Sequence, residues 1–360
     1  MNRRAVALMF PGQGSQHTQM ASGLYLHEPV FTAAMDEVFS AFGNEGEPLR
    51  SDWLAEHPAV SIDHVTRAQP LLFAVDYALG RMLLSWGIRP AALLGHSVGE
   101  MAAATLADVF TLDDAAALIL DRVRRLAAAP PGGMLAVAAG TEALEPFLTA
   151  EVVVAAMNAP RQTILAGPND PLDAVAVRLR DAGLTCQRVP SLTAFHTPML
   201  AEATGCAIER FAATPVMPPR MLLYSGYTAE PLTGEKVADP AYWASQPVDV
   251  VRFWPALDAL LGQCDDVVCV EAGPGQGLAR IARRHPTVRT GRGAVVSLLP
   301  ARPGPAERDR ESVAAAFDTL ADYRATLAVT NRTGTSMVNG APPARIASNP
   351  AMSRSRSSWR

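Results

Sequence analysis

The sequence predicts an α/β protein, in which a hydrolase-like parallel sheet carries an inserted ferredoxin-like subdomain. Short apolar strands alternate with helical segments before residue 130 and again after residue 190, an order typical of a parallel sheet covered by helices. Between them, strand, helix, strand, strand, helix and strand follow one another over about 132–190, which is the βαββαβ pattern. We therefore expect a discontinuous body, 1–130 and 191–328, around a small subdomain, 131–190.

The first half of the body contains two apolar strands that each end in a glycine-containing turn. AVALMF, residues 5–10, runs into PGQGSQ, and PAALLG, residues 90–95, runs into GHSVGE. The carboxyl edge of an open α/β sheet is where ligands bind, so both turns are candidate site elements. Apolar residues at helical spacing predict three helices in this half, at 69–87, 97–109 and 112–129.

The same signals predict the elements that follow. The subdomain strands are GGMLAVAA, EVVVAAMNA, QTILAGP and LTCQRVP, with helices in TEALEPFL and NDPLDAVAVRLRDAG. The second half of the body is predicted to hold strands at 220–226, 266–273 and 294–300, and helices at 199–212, 253–262, from 276, and at 310–327. Residues 329–360 are predicted to be a disordered tail, because this part is rich in Ser, Asn, Pro and Arg.

Composition favours a soluble globular protein of the cytoplasm. Of the 360 residues, 49% are hydrophobic and 18% are charged, which allows a large core. The net charge of −4 gives no electrostatic case for nucleic-acid binding, and we expect neither a signal peptide nor a membrane span. The four cysteines have no metal-ligand spacing, so we expect reduced thiols and no metal site: Cys186, Cys206, Cys264 and Cys269.

The segment LLGHSVGE contains the pattern G-x-S-x-G around Ser97. This pattern can mark a serine nucleophile on a sharp strand-to-helix turn, where backbone N–H groups stabilise an oxyanion. Many matches are only turns, but the apolar strand before Ser97 and the helical segment after it favour the nucleophile. The motif alone does not decide whether an acyl group would pass to water or to another acceptor.

His196 is the strongest of seven histidines as the base for Ser97. It lies in SLTAFHTPML, where the chain returns from the subdomain and a cleft between domains is expected, although a lone histidine is more often structural. His96, beside the nucleophile, is better suited to orienting the turn. A hydrolase would usually add an acidic residue downstream of the serine. Asp249 and Glu271 are the nearest candidates for the acidic residue that orients the histidine. A backbone carbonyl or an amide side chain in that role is the alternative.

Two further features could belong to the site. FPGQGSQ lacks the Gly-Lys-Ser/Thr of a P-loop and the third glycine of a dinucleotide fingerprint, so it does not match a phosphate-binding loop. It places backbone N–H groups at the end of a strand, and we interpret one of them as a second oxyanion donor opposite Ser97. Arg122 lies 25 residues after Ser97. It is either an exposed helix arginine beside Arg124 and Arg125, or a bidentate partner for a carboxylate.

Five motifs in order make the sequence resemble malonyl-CoA:acyl-carrier-protein transacylases and the acyltransferase domains of polyketide and fatty acid synthases. They are FPGQGSQ, GHSVGE, the arginine 25 residues later, AFHTPM and VEAGPGQGL, and the similarity covers about residues 5–300. The resemblance implies that Ser97 is the acylated nucleophile and His196 the general base. It also implies an oxyanion hole from the backbone N–H groups of Gln13 and Val98, and a carbonyl of Gln246 that orients the histidine.

The resemblance extends to the substrate side of the site, with departures. Arg122 would pair with the free carboxylate of a malonyl-type acyl group. In the family, a phenylalanine directly before the base, here Phe195, accompanies specificity for malonyl rather than methylmalonyl. Gln69 and Asn158 fall at motif positions near the pocket. Pro247 and Val250 depart from the family pattern and put the orienting carbonyl in question, and DRVRRL leaves Arg124 and Arg125 as competitors for Arg122.

The resemblance implies transfer of a malonyl-type group from CoA to the phosphopantetheine thiol of an acyl carrier protein, in polyketide or fatty acid biosynthesis. Malonyl-CoA is then a substrate, no cofactor is bound, and we expect a monomer that acts in trans. An acyl hydrolase that clears carrier proteins, or transfer of another acyl group between carrier proteins, is the alternative. A non-catalytic module that holds a carrier protein is a third hypothesis. Carrier proteins are acidic, so we expect exposed arginines near the cleft.

Overall fold

The computed structural model describes residues 5–263 and 266–323. Within them the strands are β1 (Ala5–Phe10), β2 (Ala92–Gly95), β3 (Gly133–Val137), β4 (Val153–Ala159), β5 (Gln162–Gly167), β6 (Cys186–Val189), β7 (Leu223–Tyr224), β8 (Val267–Glu271) and β9 (Gly293–Ser297). The α-helices are α1 (Pro29–Ala41), α2 (Gly46–Leu54), α3 (Val65–Ser85), α4 (Gly99–Leu106), α5 (Leu112–Ala127), α6 (Thr141–Leu144), α7 (Asn169–Asp181), α8 (Ala201–Thr204), α9 (Ala207–Ala212), α10 (Gly234–Val237), α11 (Pro240–Ala244), α12 (Phe253–Gly262), α13 (Gly277–Ala282), α14 (Pro286–Arg289) and α15 (Ala306–Thr319). In this part of the chain no helix is both long and apolar enough to cross a membrane.

The larger sheet is parallel and has the order β7-β2-β1-β8-β9. β1 and β8, at its middle, are apolar along nearly their whole length, as expected for strands covered on both faces. Phe10 at the end of β1 is in register with Gly95 at the end of β2. The turns that follow these two strands therefore lie side by side at the carboxyl edge of the sheet.

The smaller sheet is antiparallel and has the order β4-β5-β3-β6, the strand arrangement of a ferredoxin-like unit. α7 packs on it and closes a separate apolar core that includes Leu135, Leu165, Leu172 and Leu179. The predicted fold class, a parallel α/β body with an antiparallel subdomain, is thus confirmed. The exact residues at which the subdomain begins and ends, 131 and 190, stay a prediction.

Helix α3 begins at Val65, four residues before the predicted start. The ring of His64 caps it by accepting a hydrogen bond from the backbone N–H of Thr66. Pro70 lies inside the helix and has no N–H to offer the Thr66 carbonyl, which accepts from the Arg67 guanidinium at 3.3 Å instead. This local compensation explains why the proline does not set the start of the helix.

Several predicted elements of the second half differ in the structure. The helix predicted at 199–212 is a 3₁₀ turn (Pro198–Leu200) followed by α8 and α9, which are separated at Gly205, where glycine weakens a helix. The strand predicted at 220–226 pairs only over the two residues of β7. The helix predicted at 310–327 is α15, which begins at Ala306. Residues 324–327, the tail 329–360 and Cys264 lie outside the described residues.

Helices α1 and α2 have no counterpart among the predicted elements. α1 starts with Pro29 at its first turn, a position that tolerates the missing N–H, and packs against α3. Its buried face contributes Phe31, Met35 and Val38 to the main core. The first half of the body is therefore thicker than the strand-and-helix pattern alone indicates.

The subdomain is joined to the body by main-chain hydrogen bonds. The N–H of Met157 in β4 donates to the carbonyl of Val251 at 2.8 Å, and the N–H of Val251 donates to the carbonyl of Ala155 at 2.9 Å. Val251 lies in the segment after α11, close in sequence to Gln246. The edge of the small sheet therefore fixes the segment that reaches the candidate base.

The tight packing of the turn after β2 gives a first prediction. A Cβ at Gly99 would lie 2.2 Å from the carbonyl oxygen of Phe10. We expect Gly99→Ala to lower the free energy of unfolding by about 1–3 kcal/mol, because β1 must move away from α4. At Gly262 an added Cβ meets nothing within 4 Å, so Gly262→Ala is the matched control and should not be destabilised. Equal urea midpoints for the two variants would contradict the prediction.

Candidate active site

Ser97 lies on the turn between β2 and α4, in a backbone conformation that few residues adopt. Its φ is 54°, in the left-handed region, as expected for a nucleophile on a strand-to-helix elbow. The side chain is buried (6% exposed) at the base of a cleft. The close approach of Gly99 to β1 allows this turn, and the role of Ser97 as a nucleophile stays a prediction.

The structure brings Ser97 and His196 together. The Ser97 Oγ lies 2.9 Å from the His196 Nε2. The other ring nitrogen, Nδ1, lies 3.0 Å from the carbonyl oxygen of Gln246 and 2.9 Å from that of Asp249. Because carbonyls only accept hydrogen bonds, Nδ1 carries the proton, and Nε2 is left to accept from the serine hydroxyl.

The orienting group is a pair of backbone carbonyls. Pro247 and Val250 do not displace the Gln246 carbonyl, and the carbonyl of Pro247 itself accepts from the His196 backbone N–H at 2.7 Å. The Asp249 carbonyl is a second acceptor that the sequence analysis did not identify. The Asp249 carboxylate accepts from the Ser245 hydroxyl at 2.5 Å, and Glu271 accepts from backbone N–H groups of α13. Neither acidic side chain hydrogen-bonds to the histidine.

The environment of His196 keeps its imidazole neutral. Burial, followed by the positive charges of His96 when protonated and of Arg122, lowers the pKa of His196 to about 3. A neutral imidazole has a lone pair on Nε2 at any pH near neutrality. The residue is therefore ready to accept a proton from Ser97 without first losing one.

The loop after β1 packs against the serine elbow. A Cβ at Gly12 would lie 2.4 Å from the His96 carbonyl, so the close contact requires glycine. Among the described residues, neither the N–H of Gln13 nor that of Val98 donates a hydrogen bond. The side chain of Gln69 donates to that of Gln13 at 3.3 Å, so Gln69 contacts this loop.

His96 links the elbow to the subdomain. Its Nε2 lies 2.9 Å from the Oδ1 of Asn158 in β4, and burial lowers its pKa. Both residues line the cleft, together with Gln13, Ser97, Phe195 and His196. The cleft has a volume of about 580 Å³ and lies between the body and the small sheet. Its size is that of an ordinary small-molecule site.

Arg122 is the one arginine of DRVRRL that points into the protein. It is buried (7% exposed) and its Nη1 donates to the Oε1 of Gln246 at 3.4 Å. Its Nε and Nη2 have no hydrogen-bond partner among the described residues. Arg124 is exposed and lies 3.5 Å from Glu45, whereas Arg125 pairs with Asp121 of its own helix. The geometry therefore separates Arg122 from its two competitors.

Glu100 belongs to the site although the sequence analysis gave it no role. One carboxylate oxygen accepts from the Tyr242 hydroxyl and from the Gln246 side-chain amide at 3.1 Å, and the other accepts from the Gly226 N–H at 2.7 Å. Burial raises the pKa of Glu100 to about 7. A chain of hydrogen bonds thus runs from Glu100 through Gln246 to Arg122. Its only sequence signal is the position of Glu100 in GHSVGE.

Among the described residues, no three His, Cys, Asp or Glu side chains lie close enough together to hold a metal ion.

The family model described as "Acyl transferase domain" matches residues 8–310, a range that includes every candidate residue above. The chain belongs to this acyl transferase family. It is an acyltransferase, and the predicted family is confirmed.

The acyltransferase is similar to segments of long polyketide synthases. It is 38% identical over 255 residues to "Mycoketide-CoA synthase" of Mycobacterium tuberculosis, covering 68% of this chain and 6% of that protein. It is 32% identical over 343 residues to "Polyketide synthase GfsB" of Streptomyces halstedii, covering 94% of this chain and 6% of that protein. The chain therefore spans only a small part of the length of these relatives.

Solved structures agree on the fold of the acyltransferase. The acyltransferase domain from the second module of the salinomycin polyketide synthase has a TM-score of 0.81 and 30% identity, covering 94% of this chain and 79% of that one. FabD from Acinetobacter baumannii has a TM-score of 0.76 and 22% identity, covering 88% of this chain and 99% of that one. The latter likeness is evidence of a shared fold alone.

The lowered pKa of His196 can be checked directly. Its imidazole should stay neutral from pH 8 down to about pH 5, because its pKa is lowered to about 3, whereas a free histidine side chain gains its proton near pH 6.5. NMR of protein labelled with ¹⁵N-histidine follows this, with the His196 signals assigned by their absence in His196→Asn. A titration of those signals centred near pH 6.5 would refute the expectation.

Proposed function

We propose that this acyltransferase moves a malonyl-type acyl group from CoA to the phosphopantetheine thiol of an acyl carrier protein, through an acyl-Ser97 intermediate. In the first step His196 Nε2 takes the proton of the Ser97 hydroxyl as its oxygen attacks the thioester carbonyl. The negative charge on the carbonyl oxygen is stabilised by the N–H groups of Gln13 and Val98. The tetrahedral intermediate collapses, CoA leaves as the thiol after protonation by His196, and the acyl group stays on Ser97.

The second step reverses the first with a different thiol. His196 deprotonates the phosphopantetheine thiol of the carrier protein, and the sulfur attacks the acyl-Ser97 ester. Collapse of the second intermediate returns the proton to Ser97 and releases the acylated carrier protein. The neutral state of His196 suits both steps, since each begins with proton acceptance at Nε2.

The main support for a malonyl-type acyl group is the buried guanidinium of Arg122, which has donors without a partner among the described residues. Its free Nε–H and Nη2–H form one edge of the guanidinium, and that edge matches the two oxygens of a carboxylate. Burying such donors without partners is unfavourable, so the arrangement is typical of a ligand site rather than of a folded core. An acyl group with a free carboxylate, such as malonyl, supplies the missing acceptors.

Phe195 supports malonyl over larger dicarboxylic groups. Its side chain is buried, lines the cleft, and lies next to the base, with the two ring centres 6.4 Å apart. A methyl group at C2 of the acyl chain would compete for the space that this ring fills. Steric discrimination of this kind typically amounts to about 1–3 kcal/mol.

The arginines near the rim of the cleft favour an acidic protein as the partner. Residues 272–306 contain six arginines and no acidic residue, and Arg280 from this stretch lines the cleft and is exposed. None of these six arginines forms an ion pair with another described residue. Such a surface attracts a negatively charged carrier protein towards the mouth of the cleft.

Intact-protein mass spectrometry after exposure to malonyl-CoA, acetyl-CoA and methylmalonyl-CoA tests the proposal. We expect a malonyl adduct on the wild-type chain, its absence in Ser97→Ala, and its loss when a holo carrier protein is added, with the malonyl group recovered on the carrier. An adduct that survives in Ser97→Ala would refute the proposed nucleophile. Release as free malonate, with the carrier protein left unmodified, would favour the hydrolase instead.

Replacement of Arg122 separates recognition from chemistry. Arg122→Met keeps the apolar stem, so we expect kcat/KM for malonyl transfer to fall on the order of a hundredfold relative to kcat/KM for acetyl transfer. Arg125→Met, on the same helix but paired with Asp121, is the matched control and should retain malonyl transfer. The proposal fails if both variants lose malonyl and acetyl transfer in parallel.

A further inference from the structure

Tyr227 presents a buried hydroxyl group that no described residue satisfies. It lies three residues after β7, and its side chain is buried (7% exposed). The phenol oxygen itself is fully buried and has no hydrogen-bond partner among the described residues. A tyrosine buried in this way usually finds a partner, because its hydroxyl loses its contacts with water. A phenylalanine would fill the same space without this cost.

The side chain of Tyr227 lies beside Ser97, His196 and Arg122. Its ring lies 6.1 Å from the ring of His196, and its oxygen is close to both the Ser97 hydroxyl and the Arg122 guanidinium. Burial raises the pKa of Tyr227, although the charge of Arg122 acts in the opposite direction. The phenol therefore keeps its proton near neutral pH and remains a hydrogen-bond donor.

Three buried donors thus converge beside the nucleophile. They are the Nε–H and Nη2–H of Arg122 and the O–H of Tyr227, all without a partner in the described part of the chain. The donors share one chemical complement, since a carboxylate has two oxygens with about four acceptor positions between them. Two of these positions suit the guanidinium edge, and a third is available to the phenol.

We propose that Tyr227 is a specificity-determining residue, whose hydroxyl donates a hydrogen bond to the free carboxylate of the acyl group beside Arg122. This inference rests on the proposed function, because it needs an acyl group that ends in a carboxylate. It adds a neutral donor to the charged one, and so requires the carboxylate to lie in one position. Groups without a carboxylate, such as acetyl, leave both residues unpaired and are disfavoured.

Tyr242 provides the structural contrast. It stacks edge to face with Tyr227, with the ring centres 6.4 Å apart, but its hydroxyl is bonded to Glu100 and to the Ser225 hydroxyl at 2.6 Å. Removing that hydroxyl breaks a buried network and leaves acceptors unpaired. The Tyr227 hydroxyl lies near Ser97 and Arg122 but makes no well-formed hydrogen bond to a described residue, so its removal disrupts no such network. The melting temperatures of the two Tyr→Phe variants therefore distinguish a hydroxyl that stabilises the fold from one that binds a ligand.

The experiment compares wild type, Tyr227→Phe and Tyr242→Phe. Tyr227→Phe should keep or raise the melting temperature and should lower the ratio of kcat/KM for malonyl transfer to kcat/KM for acetyl transfer about tenfold or more. Tyr242→Phe should lower the melting temperature. Tyr227→Met, which also lacks the hydroxyl, should shift the malonyl-to-acetyl ratio in the same direction as Tyr227→Phe.

Three results would overturn the inference. An unchanged malonyl-to-acetyl ratio in Tyr227→Phe and Tyr227→Met, with wild type forming malonyl-Ser97, would remove the role of Tyr227 and leave the proposed function intact. Wild type that forms no malonyl adduct with malonyl-CoA would overturn both. A fall in melting temperature of Tyr227→Phe as large as that of Tyr242→Phe would show that the hydroxyl stabilises the fold instead.

Discussion

The buried carboxyl group of Glu100 is the interaction on which the geometry of the site depends. It joins three separate parts of the chain, because it accepts hydrogen bonds from Gly226 after β7, from Tyr242 in α11 and from the side chain of Gln246. Gln246 then acts in two directions. Its side chain accepts from Arg122, and its backbone carbonyl orients His196. The positions of His196 and Arg122 are therefore set by one residue on the helix that follows Ser97.

Each of the two sheets contributes one side of the cleft. The parallel sheet aligns the ends of β1 and β2, which places the loop of Gln13 beside Ser97. The antiparallel sheet contributes the opposite wall and is held to the body through Asn158, which contacts His96, and through Met157, which bonds to Val251. A change in the small sheet would therefore alter the shape of the cleft without touching Ser97.

The sequence predicts those parts of the molecule that depend on local patterns. Alternating apolar segments indicate both sheets, and the motifs around Ser97 and His196 identify the pair that the structure brings within 2.9 Å. The parts that it misses depend on distant contacts. Tyr227 has no motif, and the role of Glu100 requires partners 126 to 146 residues away. Likewise, the short β7 is limited by its pairing with β2, which no local pattern records.

Under the proposed function, the closeness of Arg122 to His196 couples substrate recognition to base strength. The positive charge of Arg122 is one of the causes that hold the pKa of His196 low, and an imidazole with a low pKa is a weak base. A carboxylate that pairs with Arg122 offsets this charge, and so raises the proton affinity of Nε2 while that acyl group is in place. An acyl group without a carboxylate would meet the weaker base. Selectivity would then reside in the rate of serine activation as well as in the affinity for the substrate.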